Sequence, residues 1–286
     1  MRLLVTGAGG QLGHDVVRVA TSAGDDVLAA DRGRLDVTDH DDVLAAITTW
    51  RPDVVIHAAA WTAVDACEGD PERAFTDNAL AVRWVADGCA RVGAHLVHLS
   101  TDCVFDGTLD RPYHEWDRTD PQSVYGASKL AGEREALALG PAATVVRTSW
   151  LCGEHGGNMV KTVLRLAGAG SGEPGSMAFV DDQRGCPTFT ADLAPALRRL
   201  ALERRPGRYH VTNQGAVSWY EFAGEVLAAA GLERALVRPI TTAELEPPRP
   251  APRPANSVLD NAALRAAGIP LLRDFREPLA ELVASL

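Results

Sequence analysis

Two side chains with complementary acid–base chemistry lie four residues apart near the middle of the chain. They are Tyr125 and Lys129, in the run YGASK, and only two of the 28 basic residues in the sequence are lysines. A spacing of four places both side chains on one helical face, one turn apart. A phenol has a reference pKa of about 10, and a nearby ammonium group lowers that pKa. The pair is therefore a candidate proton donor with a modulating cation.

A glycine-rich loop follows the first predicted strand directly and opens a helix. It reads GAGGQLG, and its glycines Gly7, Gly10 and Gly13 have the spacing typical of short-chain dehydrogenases. Bare backbone there can approach a pyrophosphate, whose charge is stabilised by N–H groups and the positive end of the helix dipole. The loop therefore predicts dinucleotide binding.

Hydroxyl-bearing residues end the fourth predicted strand, at Ser100 and Thr101. Reduction of a ketone requires a hydride, which a nicotinamide supplies, and a proton, which Tyr125 can supply. The Thr101 hydroxyl is placed to bind the carbonyl oxygen opposite the phenol. We therefore predict Tyr125, Lys129 and Thr101 as the catalytic residues of a nicotinamide-dependent oxidoreductase.

The second predicted strand ends with residues that leave the choice of cofactor open. An acid such as Asp31 binds a ribose 2′-OH and favours NADH, whereas the adjacent Arg32 can bind a 2′-phosphate and favours NADPH. We expect NADPH, with NADH as the alternative. Asp36 and Val37 are placed to hold the adenine end, and Asp39 is predicted to cap the next helix.

Short apolar runs alternate with helical patterns in the first half of the chain. A parallel sheet covered on both faces follows, which is the doubly wound (Rossmann) α/β fold. The predicted strands are 2–6, 26–30, 53–58, 95–100 and 143–148, and the predicted helices are 11–23, 39–49, 71–92 and 123–139. His57 and His98 lie in these strands, and we expect both to be buried and hydrogen-bonded.

The alternation loosens after residue 150, which predicts a smaller interleaved α/β substrate lobe. We assign 1–152 to the dinucleotide-binding domain, with further sheet strands from 177–212, and 153–176 and 213–286 to the substrate lobe. Strands are predicted near 177–180 and 208–212, and helices near 157–168, 190–204, 218–231 and 273–285. Five prolines in 246–256 predict an extended segment or lid.

Composition excludes several classes of partner. The formal charge of −10 argues against nucleic acid or an anionic membrane. No run of about 18 apolar residues or signal-peptide pattern is present, so we expect a cytoplasmic protein without a membrane partner. The five cysteines show no metal-ligand spacing, which predicts reduced thiols and no metal site.

Distinctive blocks along nearly the whole chain resemble the dTDP-4-dehydrorhamnose reductase family of extended short-chain reductases. They are GAGGQLG, PDVVIHAAAWTAVDACE, HLSTDCVFDG, VYGASKLAGE, RTSWLCG, DDQRGCPT and RPANSVLD. The resemblance implies hydride transfer to C4 of a dTDP-4-keto-6-deoxyhexose, which gives dTDP-L-rhamnose, and it is compatible with a homodimer.

The resemblance also implies roles for individual residues. Tyr125 is the implied proton donor, Lys129 its modulator and Thr101 the third catalytic residue. Thr101, Asp102 and Trp150 are the implied sugar-nucleotide contacts, and Arg253 and Lys161 are candidate diphosphate partners. The implied cofactor contacts beyond the loop glycines are Gln11, Leu12, Asp36, Val37, Ala59, Ala60 and Thr62, together with Tyr125 and Lys129.

Departures from the family pattern leave the hexose open. Cys103 and Cys152 stand where the family usually has tyrosines, which suggests a wider sugar pocket and keeps a ketoreductase of an antibiotic-sugar pathway as an alternative. A dehydratase is disfavoured, because those enzymes carry a glutamate where Cys103 stands. A sugar-nucleotide 4-epimerase and a non-catalytic NADP-binding subunit, similar to the β subunit of methionine adenosyltransferase, remain further alternatives.

Overall fold

A six-stranded parallel sheet forms the centre of the molecule in a computed structural model, which describes residues 1–170 and 173–286. Its strand order is β10-β5-β4-β3-β1-β2, and the predicted doubly wound α/β fold is thereby confirmed. The strands are β1 (Arg2–Thr6), β2 (Asp26–Ala30), β3 (Val54–His57), β4 (His95–Thr101), β5 (Ala143–Thr148), β6 (Leu151–Cys152), β7 (Met177–Val180), β8 (Arg184–Gly185), β9 (Thr188–Phe189), β10 (Gly207–His210), β11 (Val217–Ser218) and β12 (Val237–Ile240).

Helices cover both faces of the sheet and build a separate cluster at its carboxyl edge. The helix α2 begins after Asp39, whose side chain accepts hydrogen bonds from two backbone N–H groups, so the predicted cap is confirmed. The helices are α1 (Gln11–Ser22), α2 (His40–Trp50), α3 (Val64–Gly69), α4 (Pro71–Phe75), α5 (Ala81–Val92), α6 (Val124–Leu137), α7 (Met159–Ala169), α8 (Thr190–Glu203), α9 (Trp219–Ala229), α10 (Ala262–Ala266) and α11 (Arg276–Ser285).

The predicted helix at 71–92 is interrupted. A π-helical turn at Thr76–Leu80 lies between α4 and α5, and it carries Asp77 and the fully buried Asn78. Asn78 accepts a hydrogen bond from the Trp61 amide at 2.8 Å and donates to the Ser128 hydroxyl at 3.0 Å. The turn therefore places side chains that tie the loop after β3 to helix α6, which carries the candidate catalytic pair.

Alternate residues of the central strands enter two different cores. In β1, Leu3 and Val5 pack with helices α1 and α8, whereas Leu4 packs on the opposite face with helices α2 and α5. Helices cover both faces of the sheet, and for that reason Leu3, Leu4 and Val5 are all buried, instead of alternating with exposed polar residues.

A third core holds the smaller lobe together. Phe222 and Val226 of α9 pack with Val163 of α7 and Leu279 of α11. The strand at 177–180 was predicted to join the main sheet, and that prediction is wrong: it pairs with Val237–Ile240 in a two-stranded sheet. The strand predicted near 208–212 does join the main sheet, where Gly207–His210 lies parallel to β5.

The proline-rich segment 246–256 contains neither helix nor strand, in agreement with the missing N–H groups of its prolines. Asp65 of α3 binds Arg253 at 3.0 Å and Arg249 at 3.5 Å, and it accepts from the Ala251 amide. These contacts fasten the segment beside the carboxyl edge of the sheet. Within the described ranges, no helix is long and apolar enough to cross a membrane.

We predict that Ile47→Ala lowers the free energy of unfolding by about 2–5 kcal/mol. Ile47 is fully buried and packs on Gly88, so the change leaves a cavity between α2 and α5. Chemical denaturation measures the effect. The control Leu202→Ala removes a half-exposed leucine of α8 and should change stability by less than about 1 kcal/mol. Equal effects at the two positions would contradict the assignment of this core.

Candidate active site

A cavity of about 630 Å³ opens at the carboxyl ends of β1, β2 and β3. Ligands of doubly wound sheets bind at this edge, where the loops diverge. Seven of the predicted cofactor residues line the cavity, namely Gly7, Gly10, Asp36, Val37, Ala59, Ala60 and Thr62. Gly9, Asp31, Arg32 and Arg73 line it as well.

The glycine loop leaves the start of α1 open towards this cavity. Gly7 has a φ of +68°, and a Cβ on it would lie 2.7 Å from the Ala59 amide nitrogen. No side chain caps the first turn of α1, and no acidic residue lies in it. The first N–H groups of a helix have no partner within the helix, and a glycine-rich loop lets an anion approach them, so together they form an anion-binding site. The residues present therefore fit the pyrophosphate of a dinucleotide.

Gln11, Leu12 and Gly13 form the first turn of α1. A Cβ on Gly13 would lie 2.1 Å from the Gly7 carbonyl oxygen, so this glycine permits the helix to pack against its own loop. The Gln11 side chain donates to the Leu151 carbonyl at 3.1 Å and accepts from Asn158 at 2.7 Å. Because both polar groups of the Gln11 side chain already have partners, its backbone N–H is the group that can bind a pyrophosphate.

Charged side chains cluster in the part of the cavity beside the carboxyl end of β2. Arg32 lies 3.8 Å and Arg73 3.7 Å from the Asp77 carboxylate. The Arg73 guanidinium also lies 4.2 Å from the Trp61 ring centroid. Sequence reasoning missed Arg73 and Asp77, because they come from the helical segment after β3 and carry no local motif.

Helix α6 presents Tyr125 and Lys129 at the end of β4. Ser123 caps the helix by accepting a hydrogen bond from the Gly126 amide at 3.1 Å. A Cβ on Gly126 would lie 2.2 Å from the Cys103 carbonyl oxygen. Glycine at this position therefore allows the helix to approach the strand end closely, and it brings Tyr125 beside Thr101.

Thr101 and Asp102 form the opposite wall of the site. The Thr101 hydroxyl donates to the Asp102 carboxylate at 2.9 Å and accepts from the Cys103 amide at 3.2 Å. Asp102 is buried, and its burial raises the pKa of the carboxyl group, although hydrogen bonds from Ser257 and Thr101 lower it. The three predicted catalytic residues are thus brought together.

The expectation of a lowered pKa for Tyr125 is wrong, because the pKa of this phenol is raised above its ordinary value. Burial raises the pKa of the phenol, the neighbouring Cys103 adds to that increase, and a hydrogen bond with Thr101 lowers it only in part. Desolvation dominates because the phenolate form would be an anion in an apolar site. The phenol is therefore protonated at neutral pH, which is the form a proton donor needs.

Lys129 is almost completely buried, and its ammonium group donates to the Leu99 carbonyl at 2.6 Å. Burial lowers the pKa of Lys129 from 10.5 to about 8, while the negative charge of Glu133 acts in the opposite direction. The group consequently titrates close to physiological pH, as acid–base residues of active sites often do.

The two strand histidines lie beneath this site, and both are buried as predicted. A hydrogen bond of 2.7 Å joins His57 Nδ1 to the Thr6 hydroxyl, and the rings of His57 and His98 stack with centroids 5.5 Å apart. The expectation that both are hydrogen-bonded is wrong for His98, since neither of its ring nitrogens has a partner among the described residues. Burial lowers the pKa of both imidazoles, which are therefore neutral.

Trp150 follows β5 with a φ of +46° and stacks on Trp219, with ring centroids 3.4 Å apart. A Cβ on Gly185 would lie 2.5 Å from the indole, so that glycine makes room for the ring. Cys152 is buried in the core of the smaller lobe. Cys103, by contrast, is half-buried against Tyr125.

The two candidate diphosphate residues have different surroundings. Arg253 lies 3.0 Å from Asp65 and close enough to Cys103 to lower the pKa of that thiol. Lys161 instead donates to the carbonyls of Glu154 and Gly156. Asp15 accepts hydrogen bonds from Arg18 and Thr190, and the described residues contain no group of three or more side chains that could hold a metal ion.

We predict that Lys129→Met raises the free energy of unfolding at pH 7 by about 1–3 kcal/mol while abolishing turnover. The unfolded lysine has a pKa near 10.5 and the folded one about 8, so folding opposes protonation. This penalty is complete below pH 8 and disappears as the pH rises through 10.5.

Urea denaturation at pH 7 and pH 10 measures that effect, and the stability gain should shrink at the higher pH. Lys161→Met, at the other lysine, is the matched control. A gain that is independent of pH at Lys129 would contradict the assignment of a buried, titrating ammonium group.

Comparisons with known proteins agree with this geometry. The RmlD substrate binding domain family matches residues 1–286. The chain is 43% identical to a dTDP-4-dehydrorhamnose reductase of Streptomyces griseus, over 98% of this chain and 92% of that protein. It is 44% identical to a probable dTDP-4,6-dihydroxy-2-methyloxan-3-one 4-ketoreductase of Streptomyces antibioticus, over 98% of this chain and 94% of that protein.

A solved structure supports the same grouping. The dTDP-4-dehydrorhamnose reductase of Bacillus anthracis, in complex with NADP, superimposes with a TM-score of 0.93 at 36% identity, covering 100% of this chain and 99% of that one. Relatives of this kind include both rhamnose-pathway reductases and antibiotic-sugar ketoreductases. The chain therefore belongs to the RmlD family of NAD(P)H-dependent dTDP-sugar reductases.

Proposed function

We propose that this protein reduces the C4 ketone of dTDP-4-dehydro-L-rhamnose to dTDP-L-rhamnose, with NADPH as the hydride donor. The observation that carries the proposal is the meeting of Tyr125, Lys129 and Thr101 beside a cavity that fits a dinucleotide. The similarity to dTDP-4-dehydrorhamnose reductases supplies the substrate class.

Three side chains of this protein have separate roles in the proposed reduction. A bound nicotinamide supplies the hydride. Tyr125 is protonated because of its burial, and it donates its proton to the carbonyl oxygen as negative charge develops there. The Thr101 hydroxyl holds that oxygen, and the Lys129 ammonium stabilises the phenolate that remains.

Other residues of the proposed site orient the sugar nucleotide. We assign contacts with it to Thr101, Asp102 and Trp150, and the diphosphate to Arg253, whose guanidinium lies near Cys103. Residues 1–152 with strand β10 serve the cofactor in this proposal, and the ranges 153–176 and 213–286 serve the substrate. Residues 171 and 172, within the range 153–176, lie outside the described part of the chain.

A ketoreductase of an antibiotic sugar is the second candidate. Two observations favour it: the half-buried Cys103 beside Tyr125, where the family usually has tyrosine, and the 44% identity to the Streptomyces antibioticus ketoreductase. A smaller side chain at residue 103 leaves room for a different substituent pattern on the hexose. NMR analysis of the product identifies the hexose and the configuration at C4, and it thereby separates the two candidates.

Replacing Tyr125 by Phe should reduce kcat by about 100-fold or more, because general acid catalysis contributes about 10² to 10⁴. NADPH oxidation in the presence of dTDP-4-keto-6-deoxyhexose, made in situ, is the measurement. The control is NADPH affinity, which should change little, since only a hydroxyl is lost. Full activity of the Phe variant would contradict the proton-donor assignment. Tightly retained cofactor without net NADPH consumption would instead favour an epimerase.

The preference for NADPH should depend on Arg32. Its side chain is exposed and lines the adenine end of the cavity, where a 2′-phosphate would bind it by charge-assisted hydrogen bonds. We expect Arg32→Gln to raise the KM for NADPH by about 10-fold or more and to leave the KM for NADH nearly unchanged. Arg34→Gln, in the same turn but outside the cavity lining, is the matched control. An equal loss for both cofactors would overturn the assignment.

A further inference from the structure

A buried ion pair lies one helical turn beyond Lys129. Glu133 and Arg147 are joined by two hydrogen bonds, Nε to Oε1 at 2.8 Å and Nη2 to Oε2 at 2.7 Å. Glu133 has no exposed surface and Arg147 is 2% exposed. A buried pair of this kind is weak evidence for stability, because the cost of desolvating both charges offsets their attraction. Stability alone therefore does not explain why this ion pair is buried next to Lys129.

The carboxylate of Glu133 also holds the catalytic strand. The Ser100 hydroxyl donates to Glu133 Oε1 at 2.6 Å. Ser100 stands between Leu99, whose carbonyl accepts from Lys129, and Thr101, the candidate carbonyl-binding residue. Three consecutive residues of β4 thus contact three parts of the site, and Glu133 connects that strand to the helix that carries Lys129.

Arg147 is held firmly on the far side of the carboxylate. Its guanidinium donates to the Glu115 carbonyl at 3.3 Å and lies 5.1 Å from the Phe105 ring centroid. Arg208, an exposed residue of β10, approaches Glu133 at 3.8 Å. The carboxylate is therefore fixed from β4, β5 and β10, and it cannot swing away from helix α6 without breaking these contacts.

The titratable groups around Lys129 come from its own helix and from β3 and β4, and the Arg147 cation of β5 lies on the far side of Glu133. On its own helix, Tyr125 is a neutral phenol and Glu133 is an anion. From β4 and β3, His98 and His57 are both neutral because of burial. Among these groups, Glu133 favours the ammonium form of Lys129, whereas burial favours the neutral amine.

We propose that Glu133 is a positioning residue that acts through Lys129, holding its ammonium group charged and locking helix α6 to the strand that carries Leu99 and Thr101. The effect of Glu133 on turnover rests on the proposed function. The electrostatic part concerns the protein alone and can be tested without cofactor or substrate.

The sequence makes a direct test simple, because Lys129 and Lys161 are its only lysines. Selective ¹³C labelling of lysine gives two Cε signals, and their chemical shifts against pH report each amine separately. In the wild-type protein the Lys129 signal should have its midpoint near pH 8. In Glu133→Gln the midpoint should fall by roughly one to two units, as expected for the loss of a buried, ion-paired charge about 6 Å away, with the Lys161 signal unchanged.

The matched control is Glu115→Gln. Glu115 is also a buried acidic residue; its backbone carbonyl accepts from Arg147, and its side chain accepts from the His210 and Ala263 amides. Both variants replace a buried carboxyl group by an amide, but only Glu133→Gln should move the Lys129 midpoint. An unchanged midpoint in folded Glu133→Gln, or an equal shift in Glu115→Gln, overturns the proposal.

A second variant covers the case in which an unpaired Arg147 prevents folding. Glu133→Leu with Arg147→Met replaces the pair by apolar side chains, which proteins often tolerate. The Lys129 midpoint should still fall, because Glu133 favours the ammonium form of Lys129. The fall should be smaller than in Glu133→Gln, since the double variant leaves no unpaired Arg147 cation. An unchanged midpoint in this folded double variant also overturns the proposal.

Turnover gives an independent readout. If the reduction is as proposed, the alkaline limb of kcat/KM should move to lower pH in Glu133→Gln, in step with the Lys129 midpoint. Failure of the wild-type protein to reduce any dTDP-4-keto-6-deoxyhexose would overturn the proposed function and leave the lysine titration as the test of Glu133. A shifted midpoint with an unshifted alkaline limb would overturn the link to catalysis.

Discussion

The close packing of helix α6 against the end of β4 is the constraint on which the site depends. Gly126 lets the helix approach the Cys103 carbonyl, Lys129 binds the Leu99 carbonyl, and Glu133 binds Ser100. Each contact joins one turn of the helix to the strand. Tyr125 and Thr101 are brought together because the helix and the strand meet along this whole length.

The same packing determines the electrostatics of the site. Water is excluded from Tyr125 and Lys129, so burial raises the pKa of the phenol and lowers that of the ammonium group. Both shifts favour the neutral species. Only a nearby buried negative charge can keep the lysine charged in such a place, and Glu133 occupies that position. Arg147 in turn makes the burial of Glu133 tolerable.

A second set of contacts connects the cofactor loop with the smaller lobe. Gln11 in the first turn of α1 binds Leu151 and Asn158, and Asn158 caps helix α7 by accepting from the Lys161 amide. On the other side, Asp65 binds the arginines of the proline-rich segment. Both sets lie at the carboxyl edge of the sheet, and they add polar contacts between the smaller lobe and the residues around the cavity.

The sequence by itself determined the features that depend on neighbours along the chain. The glycine loop, the Tyr125–Lys129 spacing, the cap at Asp39 and the apolar strands are local patterns, and periodicity with backbone chemistry is sufficient to predict them. The family could also be predicted, because its motifs are distinctive and occur in order along nearly the whole chain.

Only the tertiary structure decided the features that depend on residues distant in sequence. Arg73 and Asp77 reach the cavity because the segment after β3 folds back over it. Strand β7 leaves the main sheet because β12, about 60 residues later, pairs with it. The pKa of Tyr125 rises although a lysine is one turn away, since desolvation depends on everything that surrounds the phenol and not on its sequence neighbours.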